Sequence, residues 1–231
     1  MSVEREEIDT GAWIELKPEG AGPIRAWRAD PAGKPRAGVV VIQEIFGVNA
    51  HIREITDRFA TEGYLAIAPA VFEHVEKGFD VGYDAESRAR GMAIVSKVDF
   101  EQTLRDVAVA IEVAKEGGKV GIVGFCFGGS IAWAAAARLP GLSAAVGYYG
   151  GRIIAMKDMK PRVPTLLHFG EKDQHIPVAG VREVAAAHPE VAVHIYPADH
   201  GFSCDHRESY DAPSAALAWS RTLEFFGKHL G

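Results

Sequence analysis

Cys126 sits between small residues in Gly124-Phe125-Cys126-Phe127-Gly128-Gly129, directly after the apolar run Val120–Val123 and directly before the alanine-rich stretch from Ser130 to Arg138. This pattern describes a sharp strand-to-helix turn: glycines at i−2 and i+2 let strand and helix pack closely, and the turn lifts a nucleophile out of the sheet. It is G-x-S-x-G with sulfur in place of oxygen. At a helix N-terminus, unpaired backbone N–H groups and the helix dipole favour developing negative charge, which suits acyl transfer. On the motif alone, a small buried core cysteine is an equal alternative.

Two later segments favour chemistry. Leu166-Leu167-His168-Phe169-Gly170 reads as an apolar strand ending in a glycine turn, with Glu171 and Asp173 beyond it. Val191–Tyr196 is a second strand-like run, followed by Asp199-His200-Gly201-Phe202. Nucleophile, acid and histidine thus follow one another in chain order, each in a loop after a strand, and Cys126, Asp173 and His200 form the expected triad. A free thiol, with a pKa near about 8.5, is mostly protonated at neutral pH and needs a base. His200 would be that base, Asp173 would hold its tautomer, and Cys126 would attack a carbonyl carbon to give a thioester that water then releases.

The elements that must position these groups alternate between strand and helix. Trp13–Leu16 and Ile24–Trp27 read as an antiparallel pair, Ala37–Ile42 as a buried central strand, and the remaining strands as a parallel sheet. Asn49 can cap a helix carrying Ile52, Ile55 and Phe59, with Gly63 ending it before the strand Tyr64–Ala68. Trp219, Leu223, Phe226 and Leu230 form one stripe of a final helix that packs on the sheet. The expected fold class is α/β, with helices on both faces of a mostly parallel sheet, in a single domain spanning residues 1–231.

Four separated blocks, Gln43-Glu44-Ile45-Phe46-Gly47, the elbow at 124–129, Ala145-Val146-Gly147-Tyr148-Tyr149-Gly150 and Asp199-His200-Gly201-Phe202, resemble the dienelactone hydrolase family from about Val39 onward. The resemblance implies an α/β-hydrolase fold, a cysteine nucleophile and hydrolysis of lactones or related esters. It places oxyanion donors at the backbone N–H groups of Phe127 and Ile45. It also implies that Glu44 meets the nucleophile's sulfur and gates its activation; the alternative is an acid that anchors its loop or pairs with Arg53. Family members that prefer dienelactone bind its carboxylate with two arginines. Arg88 matches the first, with Arg90 nearby, but Cys204 stands where the second is expected and Met92 where an aromatic residue is expected. Arg207 or Arg152 compensates only if the loops bring it in. Tyr148 either lines the pocket or packs at a strand end, Met92 takes the substrate-facing position of the missing aromatic residue, and Cys204 either touches substrate or is a passive pocket residue.

The remaining candidates read as structural. Asp199 adjoins His200 and its side chain diverges; His168 is a core histidine; His175 either lines the site or anchors its loop. Glu73, His74, Glu76 and Lys77 read as a solvated loop, with a lid over 72–92 as the alternative. No H-E-x-x-H-type spacing occurs, so no metal or other cofactor is expected.

A net charge of −6 without a basic cluster excludes nucleic acid as a partner. Only two cysteines occur, so no disulfide framework is expected and the compartment should be reducing. The start, Met-Ser-Val-Glu-Arg-Glu-Glu, lacks an apolar leader, and no run approaches the roughly 18 apolar residues of a membrane span. A cytoplasmic monomer or weak homodimer acting on a small ester or lactone is expected. The alternatives are a broad-specificity esterase or phosphotriesterase, or a catalytically idle receptor on the same fold.

Overall fold

Alternating apolar runs and glycine turns build one sheet of eight strands. The computed structural model describes residues 11–231, so the charged start at 1–7 lies outside the described residues. The strands are β1 (Gly11–Leu16), β2 (Ile24–Ala29), β3 (Ala37–Ile42), β4 (Tyr64–Pro69), β5 (Val120–Phe125), β6 (Leu142–Tyr148), β7 (Thr165–Gly170) and β8 (Ala192–Tyr196). Their order across the sheet is β1-β2-β4-β3-β5-β6-β7-β8. β1 and β2 pair antiparallel, Trp13 opposite Trp27, and β2 joins β4 antiparallel; every pairing from β4 to β8 is parallel.

The valine run of β3 shows why both faces must be covered. Val39 and Val41 enter one core, with Phe59 and Phe226, while Val40 and Ile42 enter the other, with Leu104 and Ile131. On the first face lie α1 (Ala50–Thr61) and α6 (Ala212–His229); on the second lie α3 (Phe100–Ala114) and α4 (Phe127–Arg138). Asn49 caps α1, its side chain accepting from the Ile52 N–H, and Gly63 turns the chain at φ +91° into β4. Phe59 meets Trp219 and Phe226 of α6 at centroid distances of 4.6 and 6.0 Å. Burying a side chain of this size stabilises by about 1.5–3 kcal/mol. The α6 stripe lies on the sheet as its spacing predicts, with Phe226 and Leu230 covering Gly121 of β5.

Strict alternation fails twice. Two helices, α2 (Ala85–Val95) and α3, follow β4 in succession, and only a short 3₁₀ turn (Ile154–Met156) rather than an α-helix joins β6 to β7. α2 offers little apolar periodicity, burying only Ser87, Gly91 and Ile94. α5 (Val178–Ala187) joins β7 to β8. Among the described residues no helix is long and apolar enough to cross a membrane.

Candidate active site

The elbow forms where the glycine spacing places it. β5 ends at Phe125, Cys126 takes φ +54° and ψ −112°, and α4 begins at Phe127, three residues earlier than the alanine-rich stretch suggests. A left-handed φ at a non-glycine residue is strained and persists only where the surroundings over-determine it. Here they do. A Cβ on Gly124 would collide with the Gly128 carbonyl, and one on Gly128 with the carbonyls of Ile42 and Gln43, so close packing holds the turn. The Cys126 N–H also donates to the Tyr148 carbonyl at 3.0 Å, tying the elbow to β6.

The three expected members meet. His200 Nε2 lies 3.2 Å from Cys126 Sγ, and His200 Nδ1 donates to Asp173 Oδ2 at 2.7 Å. Asp173 is fixed in turn, its Oδ1 accepting the N–H groups of His175 and Ile176 at 2.8 and 3.2 Å. Burial opposes charge on the imidazole, but the hydrogen bonds with Asp173 and Cys126 outweigh it and push His200 up to about 10. Burial likewise opposes charge on Asp173, yet the bond from His200 holds this carboxyl below its ordinary range. Asp199 uses its Oδ1 to accept the His200 backbone N–H at 2.6 Å, a turn-forming role. His168 is a core histidine, bonded to the Tyr196 hydroxyl (2.8 Å) and to Thr222 (3.2 Å), and burial holds it neutral.

Glu44 is fully buried and its partner is Arg207, not Arg53. Arg207 Nη1 donates to Oε1 at 3.0 Å and the Tyr83 hydroxyl to Oε2 at 3.2 Å, whereas Arg53 pairs with Asp80 at 2.7 Å. Arg207 reaches the site because its loop folds back over Gly201, whose φ is +76°, and its guanidinium fills the space a side chain there would need. It rests against the rings of Phe46 and Tyr83, each centroid 5.8 Å away. Burial lowers the Arg207 pKa, but the Glu44 charge more than restores it, so the guanidinium stays charged. Ile45 lies nearly buried beneath α2, its carbonyl against Gly91, while Phe127 opens α4, where the first N–H groups have no acceptor within the helix.

Of the residues considered as substrate contacts, Tyr148 packs at its strand end, and Cys204 and Met92 lie away from the triad surface. Tyr148 is buried, its hydroxyl 2.7 Å from Thr222 Oγ1, because the strand ends with that ring against Phe125 and His168. The next residue, Tyr149, takes φ +37°, which brings its ring 5.0 Å from that of His200 and its hydroxyl 2.8 Å from Ser203 Oγ. Alternation along β6 gives no sign of this turn. Cys204 is fully buried behind Glu44 and Tyr83 and has no surface to offer; burial, reinforced by the Glu44 charge, pushes its thiol up to about 12. Met92 is 57% exposed on α2 and points to solvent.

Arg88, also on α2, reaches the mouth of the site. Its Nη2 donates to His175 Nε2 at 3.1 Å, and the His175 ring stands edge-on to His200 at 5.9 Å. Arg90 instead pairs with Glu76 at 2.8 Å. The stretch read as a solvated loop is tied down: Glu73 is bonded by Arg25 and the Gly78 N–H, and His74 by Asp106. Behind the catalytic loop, between α1 and residues 203–210, lies a cavity of about 1150 Å³ bordered by His51, Glu54, Asp205 and His206. These four are the only group of possible metal donors found among the described residues.

Comparison with known proteins gives one consistent pattern. Residues 24–230 match the model described as the dienelactone hydrolase family. A carboxymethylenebutenolidase of Pseudomonas putida is 34% identical over 206 residues, covering 84% of this chain and 87% of its own length. A Synechocystis protein provisionally given the same name is 38% identical over 213 residues, covering 83% of this chain and 86% of its own. A Klebsiella pneumoniae crystal structure, provisionally described as a dienelactone hydrolase, superposes with a TM-score of 0.85 at 32% identity, covering 95% of this chain and 98% of that one.

Proposed function

Since the chain belongs to the dienelactone hydrolase family and is a hydrolase acting on ester bonds, we propose that it opens small lactones or esters through a thioester on Cys126. The observation that carries this reading is the relay Asp173–His200–Cys126, at 2.7 and 3.2 Å, on a strained elbow.

The sulfur, paired with a His200 ring that holds its proton to high pH, attacks the carbonyl carbon. Negative charge moves to the carbonyl oxygen, where the N–H groups of Phe127 and Ile45 receive it; removing one such donor typically costs about 2.7–4 kcal/mol. His200 then gives its proton to the departing alkoxide, which in a lactone stays attached to the acyl group. In the second half His200 takes a proton from water, the hydroxide attacks the thioester, and the carboxylic acid leaves as the thiol is regenerated. Asp173 keeps Nδ1 protonated, so that Nε2 faces the sulfur throughout.

Glu44 and Arg207 act together. The family pattern brings a carboxylate at this position to the nucleophile's sulfur, and here the Arg207 guanidinium holds Glu44 with a bond at 3.0 Å. A substrate carboxylate that engages Arg207 would compete with Glu44 for the same donors and turn binding into activation. With Arg88 at the mouth and Arg207 inside, the site supports a lactone carrying a carboxylate.

The ratio of kcat/KM for dienelactone to that for a neutral aryl acetate, with Cys126→Ala as blank, tests the substrate reading. A ratio well above one that falls at least tenfold in Arg88→Met supports it. Preference for the neutral ester, abolished in the blank, would leave the cysteine mechanism standing and remove the carboxylate from it. Glu44→Gln activity equal to wild type across the pH range would sink the gating role.

A further inference from the structure

Two imidazoles and two carboxylates converge outside the triad. His51 and Glu54 lie three residues apart near the start of α1, so their side chains share one face. Asp205 and His206 come to them from the loop after His200. His206 Nε2 is 2.9 Å from Glu54 Oε2 and 3.9 Å from Asp205 Oδ1, and His51 Nδ1 is 3.4 Å from Asp205 Oδ1. One donor atom from each of the four lies within 4.8 Å of every other.

The second observation concerns His51 itself. Its side chain is 2% exposed, yet among the described residues neither ring nitrogen has a hydrogen-bond partner. An unbonded buried polar group costs about 1–3 kcal/mol, and native interiors rarely carry one without a reason. The ring stacks 5.4 Å from that of His206 and edge-on to Tyr83 at 6.4 Å, so it is aimed into the cluster by packing rather than by a hydrogen bond. A lone pair held this way is what a metal ligand needs.

We propose that His51, Glu54, Asp205 and His206 form a structural site for a divalent transition ion of the zinc class. Two imidazole nitrogens and two carboxylate oxygens form a donor set for zinc or its first-row neighbours, whereas calcium and magnesium take oxygen. Bonds of about 2.0–2.1 Å in a tetrahedron put ligand atoms roughly 3.3 Å apart. The 2.9, 3.4 and 3.9 Å separations straddle that value, so small side-chain rotations bring the four onto one ion. The neighbouring cavity gives the ion a way in. Four protein ligands leave no open position, so the ion joins α1 to the segment that carries Ser203 and Arg207 and does no chemistry of its own. No local pattern announces such a site, because its two halves lie about 150 residues apart and no spacing repeats a known ligand motif.

The test uses the full chain, stripped with a chelator and titrated with Co²⁺ by visible absorption and with Zn²⁺ by calorimetry. The triad also contains a thiol, an imidazole and a carboxylate, so Cys126→Ala is run beside wild type. His206→Asn and Glu54→Gln change solvent-accessible ligands and leave the buried His51 in place. The proposal expects one equivalent bound, an intense tetrahedral Co²⁺ spectrum without a thiolate charge-transfer band, and no change in Cys126→Ala. His206→Asn should weaken binding by more than about a hundredfold, beyond the roughly 10–100-fold cost of losing an outer partner. Zn²⁺ should raise the Tm of wild type and not of His206→Asn. Lack of saturable binding, binding that requires Cys126, or binding untouched in both His206→Asn and Glu54→Gln would overturn it.

Discussion

The segment 199–207 borders two polar clusters that solve burial in opposite ways. On the triad side every buried ionisable group is matched: Asp173 accepts three hydrogen bonds, Glu44 accepts from Arg207 and Tyr83, and His200 bridges acid and thiol. On the α1 side lies His51, as deeply buried. Preorganisation is concentrated on the side where the proposed chemistry moves charge. The triad groups are held in place by one another, whereas His51 has no hydrogen-bond partner among the described residues, as the proposed ion site requires.

Breaking the matched side should be costly in proportion to what is orphaned. Cys126→Ala should lower ester turnover by at least about 10⁴-fold while leaving the fold intact, since removal of a nucleophile takes away the covalent path and leaves only binding and oxyanion donors. Steady-state rates with circular dichroism check this. Arg207→Met should destabilise by about 3–5 kcal/mol, because Glu44 is left buried without its cation. Urea unfolding measures it, and the double variant Arg207→Met with Glu44→Gln should recover a large part of the loss. If the single variant costs nothing, the two sides do not differ as described.

The protonation of His200 separates the two sides by pH. With this ring pushed up to about 10, kcat/KM should stay high through neutral pH and fall on an alkaline limb near that value, as the proton for the leaving group is lost. Asp173→Asn should move the limb to lower pH, because the partner that raises the pKa has gone. The same raised value makes the charged ring stabilising below its unfolded pKa of about 6.5, and that contribution disappears as pH rises through about 10. The smallest effect is expected at Cys204. Cys204→Ala should change turnover by no more than about threefold, and iodoacetamide should label Cys126 alone, because the buried thiol at 204 is held protonated.

What could be read in the sequence follows from how local the signal was. The elbow, the acid after β7 and the histidine after β8 each lie in one short segment at a strand end, so their types and order are enough to foresee that the three side chains meet. Arg207 is a candidate in the sequence beside Arg152, but its position departs from the family spacing, and only the fold-back over Gly201 brings the guanidinium to Glu44. Tyr149 escaped because one positive φ at the end of β6 exchanges the roles of two adjacent tyrosines. The succession of α2 and α3 breaks the alternation expected from sequence, since the burial of α2 on Ser87, Gly91 and Ile94 leaves hardly any hydrophobic period to detect. Those misses share a cause: tertiary placement decided them, not local pattern.

Covalent catalysis at Cys126 is open to a direct trap: the enzyme is acid-quenched during turnover of an ester with a slowly discharged acyl group, and the modified peptide is mapped by mass spectrometry. The expected result is the acyl mass on the peptide containing Cys126, released by neutral hydroxylamine as a thioester, with none on Cys204 and none in Cys126→Ala. Turnover that persists in Cys126→Ala, or an acyl group found on another residue, would contradict it.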